Sequence, residues 1–214
     1  MDVGAGNGEL LKAVQLLAPN VNATGLETSP MKIKGAGNHG LRVVDRDLAT
    51  IEEKFDVVSF MNVLSHVSCP IGFFKALMRL LKPTGCLFMC TGNAADLTDP
   101  GQNPSKTYSL PDHVVFGGRR HVIELMEAAG LEVTMLREYD HFWHNYAKFK
   151  KGPFRAIYVR ACHPPAGREP KRWDEEAYQH HTTIQGEART EYPHAHDHDH
   201  DHDHSHDHDH GHDH

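Results

Sequence analysis

The 214 residues carry 29 acids against 22 bases, a formal charge of −7, so the chain lacks the basic excess of a nucleic-acid surface. No apolar run reaches roughly 18 residues, so no membrane-spanning helix is expected. The length suits one α/β domain with a single core. The apolar deficit is local. Residues 194–214 hold 11 His and 7 Asp in near-strict alternation, and removing those seven acids leaves residues 1–193 with 22 acids against 22 bases. Cys69, Cys86, Cys90 and Cys162 show no CxxC or zinc spacing. Reduced thiols in a cytoplasmic protein are the expectation, with no signal or transit pattern visible.

The chain begins on an acidic residue and three glycines, DVGAGNG, from Asp2 to Gly8. Leu10, Val14 and Leu17 follow at helical spacing, as in a helix packing that face on a sheet, and Pro19 ends that helix. Val21 to Glu27 reads as a strand. Ser29 and Pro30 cap a second helix, which Gly35, Gly37 and Gly40 should keep short. Leu41 to Val44 is a strand, and Asp47–Lys54 leaves little room for a full helix. Phe55 to Met61 is apolar enough for the centre of a parallel sheet. Pro70 to Leu81 places Phe73, Phe74, Leu77, Leu80 and Leu81 on one helix face, closed by Lys82-Pro83. Gly85 to Thr91 is the next strand.

Residues 92–118 are rich in Gly, Pro, Asn and Asp, and a loop of that length inside a compact domain is usually functional. Val122, Leu125, Met126 and Ala129 mark a helix that stops at Gly130. Glu132–Tyr139 and Ala156–Ala161 read as closing strands, joined by an aromatic, basic link. The domain is expected over residues 1–162, followed by a polar linker over 163–193 and a disordered tail over 194–214. Strands alternating with helices imply a Rossmann-like, doubly wound, mostly parallel sheet with a truncated first strand.

Glycines at this spacing form a tight strand-to-helix turn, where a ligand can lie against backbone at a helix N-terminus. A dinucleotide loop, GxGxxG, would place its third glycine at position 9, which is Glu9. A nicotinamide-dependent enzyme is therefore disfavoured. Glu27 ends the second strand, where a carboxylate can accept from both ribose hydroxyls. Asp47-Leu48 follows the third strand, where a carboxylate can accept from an adenine amine, although Asp45 competes for that role. Asn62 and Val63 close the fourth strand at the ligand-binding edge.

With these residues the chain resembles the class I S-adenosylmethionine-dependent methyltransferases. The likeness rests on DVGAGNG (Asp2–Gly8), Glu27, FDVVSFMNVLSHV (Phe55–Val67) and LLKPTGCLFM (Leu80–Met89), with a weaker match in MEAAGLEV (Met126–Val133). It implies seven strands with the last antiparallel, and S-adenosyl-L-methionine as cofactor. Asp2, Gly4, Ala5, Gly6 and Gly8 would hold the methionine moiety, Glu27 the ribose, and Asp47 and Leu48 the adenine. Asn62 and Val63 would lie near the sulfonium. The acceptor would be a small molecule or a protein side chain, with no nucleic-acid or membrane partner. GAGNGELLK and GLRVVDRDL also resemble, more weakly, the DREV-type protein-histidine methyltransferases.

Chemistry of this kind needs alignment and, for some acceptors, a base. His113, within YSLPDHVVF beside Tyr108 and Asp112, is the preferred base, and His66 after the fourth strand is the other. His141, Trp143, His144 and Tyr146 could line an acceptor pocket or form a packed lid. In the tail, His196, His198, His200, His202 and His204 offer imidazoles to Zn, Ni or Cu without fixing one geometry. The alternative function is therefore a degenerate methyltransferase core, without catalysis, whose tail binds divalent metals.

Overall fold

The computed structural model describes residues 1–93, 114–115, 117–140 and 155–174, all within the unit Met1–Thr183. Seven strands form one sheet in the order β3-β2-β1-β4-β5-β7-β6. They are β1 (Asp2–Val3), β2 (Gly25–Leu26), β3 (Val43–Val44), β4 (Phe55–Met61), β5 (Leu81–Gly92), β6 (Glu132–Asp140) and β7 (Arg155–Cys162). The pairings β1·β2, β2·β3, β1·β4 and β4·β5 are parallel, and β7 runs antiparallel between β5 and β6. Order and directions match the expected doubly wound fold. Four α-helices lie among the described residues: α1 (Glu9–Leu17), α2 (Pro30–Asn38), α3 (Pro70–Leu80) and α4 (Arg119–Ala128).

The main core lies where the long strands meet α3 and α4. Val58, Phe60, Leu77, Leu80, Leu87, Met89, Val122, Met126, Leu136, Ile157 and Val159 belong to it. Phe60 meets Phe73 and Phe74 edge-on, at centroid distances of 5.4 and 5.7 Å. Such pairs add ~0.5–1.5 kcal/mol each beyond the area they bury. A smaller cluster of Ala5, Leu11, Ala36, Leu41 and Val43 seats α1 and α2 beside the short strands.

Those short strands depart most from the sequence reading. β2 and β3 are two residues each, where seven (Val21–Glu27) and four (Leu41–Val44) were expected. α1, nine residues and thus about 13 Å long, therefore overhangs the strands beneath it. It buries Leu11, while Leu17 is 87% exposed rather than facing the sheet. α2 runs through Gly35 and Gly37 to Asn38, longer than those glycines suggested. Its fully buried Ala36 packs against the second cluster, and that burial offsets the ~1 kcal/mol that a helical glycine costs. Lys82-Pro83, expected only to stop a helix, lies in β5, in a stretch where the β4 register shifts.

The thiol expectation is corrected. Cys86 and Cys162 form a disulfide, with a sequence separation of 76. They are directly opposed in the β5·β7 register, so two long-range strands place the sulfurs together with no short-range spacing to reveal it. Cys69 and Cys90 are free, Cys69 exposed and Cys90 buried. The segment His163–Asp174, expected to be a linker, has no regular element but is tied to the domain. The Arg168 guanidinium pairs with Glu132, the Trp173 amide donates to Glu127 Oε1 at 2.7 Å, and Trp173 packs on the core.

Candidate functional site at the carboxyl edge of the sheet

Gly4, Gly6 and Gly8 all have positive φ, at 73°, 59° and 86°. Left-handed backbone at three of five positions wraps the loop from β1 into α1. Two of these positions also leave no room for a side chain. A Cβ on Gly4 would lie 2.4 Å from Val63 Cγ2, and one on Gly8 would lie 2.5 Å from Leu41 Cδ1. The Ala5 amide donates to Leu26 O at 2.8 Å, fastening the loop to β2.

Glu27 completes the loop. Its Oε2 accepts the Gly6 amide at 2.9 Å, and its Oε1 accepts the amides of Thr28 and Ser29 at 2.9 and 3.0 Å. Burial alone would raise this carboxyl. The amide bonds from Ser29, Gly6 and Thr28 outweigh it, with help from nearby Lys32, and hold the group below its ordinary range. The side chain is thus an ionised carboxylate in a ring of amides at the carboxyl end of β2.

Asp2 has the opposite environment. It is 4% exposed and accepts from Ser59 Oγ at 2.7 Å. Burial pushes its carboxyl up to about 6, against the lowering effects of Ser59 and the amino terminus. Asp2 therefore stands behind the loop as a core residue, joining β1 to β4, while Gly4 lies open to solvent.

Asn62 follows β4 with φ 56°, the single non-glycine positive φ among the described residues. Its amide donates to Cys90 O at 2.8 Å, which turns the chain at the strand end and leaves Asn62 exposed. Asparagine tolerates this conformation better than most residues. Val63 packs beneath Gly4, so the β4 turn and the glycine loop are in contact. His66, exposed in the 3-10 turn Leu64–His66, donates its backbone amide to Val63 O at 2.9 Å.

Asp47 caps the 3-10 turn Leu48–Thr50, accepting the Ala49 amide at 2.8 Å, and is exposed beyond β3. His113, Tyr108, Asp112, the 141–146 aromatics and the tail histidines lie outside the described residues. The neighbours of His113, Val114 and Val115, both donate amides to Ser65 O, at 2.7 and 3.1 Å. That end of the long loop is thereby anchored beside the β4 turn. Among the described residues no group of His, Cys, Asp and Glu could hold a metal ion, and no helix is long and apolar enough to cross a membrane.

The sequence reading missed a polar cluster on the neighbouring strands. Asn93, just past β5, is 2% exposed and donates from Nδ2 to Glu138 Oε1 of β6 at 2.9 Å. Arg119, at the start of α4, lies 3.9 Å from Glu138 Oε2. A groove of about 430 Å³ opens at the amino ends of the strands, lined among others by Met1, Thr24, Val44, Ile51 and Phe55. It lies at the Met1 end of β1, away from the glycine loop.

Comparison with known proteins agrees with this geometry. The sequence profile described as a methyltransferase domain matches residues 1–136. Ubiquinone biosynthesis O-methyltransferase of Actinobacillus pleuropneumoniae serotype 7 is 36% identical over 106 residues, covering 44% of this chain and 45% of the relative. The protein of the same name from Xanthomonas campestris pv. campestris strain B100 is 35% identical over 156 residues, covering 61% and 64%. The aligned part thus spans less than two thirds of these curated relatives. The fold is shared with geranyl diphosphate C-methyltransferase from Streptomyces coelicolor, solved with Mg2+, geranyl diphosphate and S-adenosyl-L-homocysteine. That match has TM-score 0.60 and 13% identity, covering 76% of this chain and 72% of the other. The profile match over residues 1–136 and the doubly wound sheet around the glycine loop together make the chain a member of the class I S-adenosylmethionine-dependent methyltransferase family.

Proposed function

We propose that this chain transfers a methyl group from S-adenosylmethionine to the hydroxyl of a small molecule. The observation that carries the reading is the glycine loop closed by Glu27 and in contact with the β4 turn through Val63. The residues present fit the cofactor. Gly4 presents bare backbone, and the Glu27 carboxylate stands at the end of β2, where ribose hydroxyls can donate to it. Asp47 and Leu48 would meet the adenine, and the Asn62–Val63 turn the sulfonium end. Asp2 would support the loop from behind. The cofactor supplies a methyl group activated on sulfur.

The chain itself binds and aligns. As the new carbon–oxygen bond forms and the carbon–sulfur bond breaks, the hydroxyl proton must leave to a base or to water. His66 is on the turn beside the site, and His113 is next to the segment anchored at Ser65. The small-molecule hydroxyl rests on the likeness to the O-methyltransferases.

The test is titration calorimetry with S-adenosylhomocysteine, alongside transfer of labelled methyl to a panel of phenols and alcohols. Saturable binding is expected, weakened at least about tenfold in Glu27→Ala, which amounts to about 1.4 kcal/mol. A folded chain that binds no S-adenosylhomocysteine would overturn the proposal.

A further inference from the structure

We propose that the Cys86–Cys162 bridge is a thiol-exchange site, where a low-molecular-weight thiol attacks Cys86 and Cys162 leaves as the thiolate. The site shares no residue with the cofactor pocket proposed above.

The bridge occupies an open part of the sheet. Cys86 and Cys162 are both partly exposed, and exposed bridges are the labile ones. Val57 of β4, the register partner of Cys86, is 51% exposed. Thr134 of β6 and Arg160 of β7 are exposed as well. In exchange the incoming sulfur approaches along the S–S axis, from behind the sulfur it attacks. Because β5 lies between β4 and β7, Cys86 is approached from the β4 side, past Val57. Cys162 would be approached from the β6 side, where Thr134 Oγ1 stands 3.6 Å from its Sγ. The open side therefore leads to Cys86.

The same surroundings select the leaving group. Thr134 is the extra residue where the β6·β7 register shifts, between Val133 and Met135. Its one hydroxyl proton has two acceptors in reach, Arg160 O at 3.2 Å and Cys162 Sγ. A disulfide sulfur accepts weakly and a thiolate strongly, so the proton turns to Cys162 as charge develops there. Arg160 Nε donates to the same hydroxyl oxygen at 2.9 Å, which strengthens that donor and places a cation one hydroxyl away. The Glu132 carboxylate, opposite Cys162 in register, would oppose the charge, but Arg168 pairs with it. A stabilised thiolate leaves faster.

The exchange balances with two equivalents of the thiol. The first thiolate bonds to Cys86 Sγ, the S–S bond breaks, and its electron pair leaves on Cys162 Sγ. A second thiolate then attacks the sulfur of the first, freeing Cys86 and releasing the thiol as its own disulfide. The two protons lost by the thiols end on Cys86 and Cys162, so the bridge is reduced and the thiol oxidised by two electrons.

The experiment mixes the folded, air-oxidised full chain with reduced glutathione at neutral pH, in a Cys69→Ser background that removes the exposed free thiol. Samples are blocked with iodoacetamide at intervals and read by peptide mass spectrometry. The bridge is expected to open in the folded chain, with a transient glutathione adduct on Cys86 and an alkylated Cys162. Thr134→Val should slow opening about threefold or more, and Thr134→Ser should stay within about twofold of the parent. A variant that merely loosened the fold would open faster, so the direction of the change separates the two roles. A bridge that is absent from the air-oxidised chain, or that opens only in urea, would overturn the proposal. So would an adduct on Cys162, or a Thr134→Val variant that opens as fast as the parent or faster.

Discussion

Replacing Gly4 with alanine tests the loop at its tightest point. Two costs add. At φ 73° an alanine pays about 1–2 kcal/mol for left-handed backbone. Its Cβ would also sit 2.4 Å from Val63 Cγ2, closer than real Cβ contacts come, and overpacking of this kind costs about 1–3 kcal/mol. The sum is about 2–5 kcal/mol. At about 2–4 °C per kcal/mol for a chain of this size, the melting temperature should fall by roughly 4–20 °C. Val63→Ala removes the obstructing methyl but not the backbone penalty. In a double-mutant cycle followed by urea denaturation, the second substitution should therefore recover about 1–3 kcal/mol of what the first lost. Calorimetry on the same four proteins should show S-adenosylhomocysteine affinity falling in Gly4→Ala and partly returning in the pair. Additivity within about 0.5 kcal/mol would refute the reasoning, because it would mean that Val63 does not obstruct the site.

Asp2, with a carboxyl raised to about 6 from 3.8, binds a proton more tightly folded than unfolded, so its contribution to stability is full below about 4 and is lost as pH rises through about 6. Asp2→Asn should remove that dependence. The stability of the wild type relative to Asp2→Asn should fall by up to about 3 kcal/mol between pH 4 and pH 7 in urea titrations, and a flat difference would count against it. Cutting the Cys86–Cys162 bridge, whose partners are 76 residues apart, should cost up to about 4–5 kcal/mol by chain entropy. A phosphine reductant should lower the melting temperature of the wild type and leave a Cys86→Ser/Cys162→Ser variant unmoved. Adding about four β-branched residues before Met1 should extend β1 into the groove between the β2 and β4 sides and protect the Val57 amide from exchange. An unchanged melting temperature and unprotected Val57 would show that the groove does not accept a strand.

The glycine loop, β4 and α3 were legible because each carries its signal within a short window. Gly4, Gly6 and Gly8 need positive φ, Phe55–Met61 is continuously apolar, and α3 repeats Phe74, Leu77 and Leu80 at helical spacing. Glu27 and Asn62 could be located from the ends of the strands they close. The lengths of β2 and β3 could not, because a strand ends where its ladder partner ends, and that partner is remote in sequence. The disulfide and the Asn93–Glu138 pair are hidden for the same reason. Each joins strands remote in the chain, at sequence separations of 76 and 45. Exposure at Leu17 was misjudged because helical periodicity identifies a face but not how far the sheet beneath it extends.

Glu27 holds three backbone amides, one from the glycine loop and two from the start of the next turn. The loop is thus moulded around the chain's own carboxylate, and under the proposed function little ordering would remain to be done when a nucleoside binds. Binding should then follow a single kinetic step whose observed rate rises linearly with ligand concentration, with no slower phase of loop closure after it. Removing the carboxylate would shift part of that ordering onto the binding event. In Glu27→Ala the association rate should fall along with the affinity, an effect that loss of a ribose contact alone would not produce.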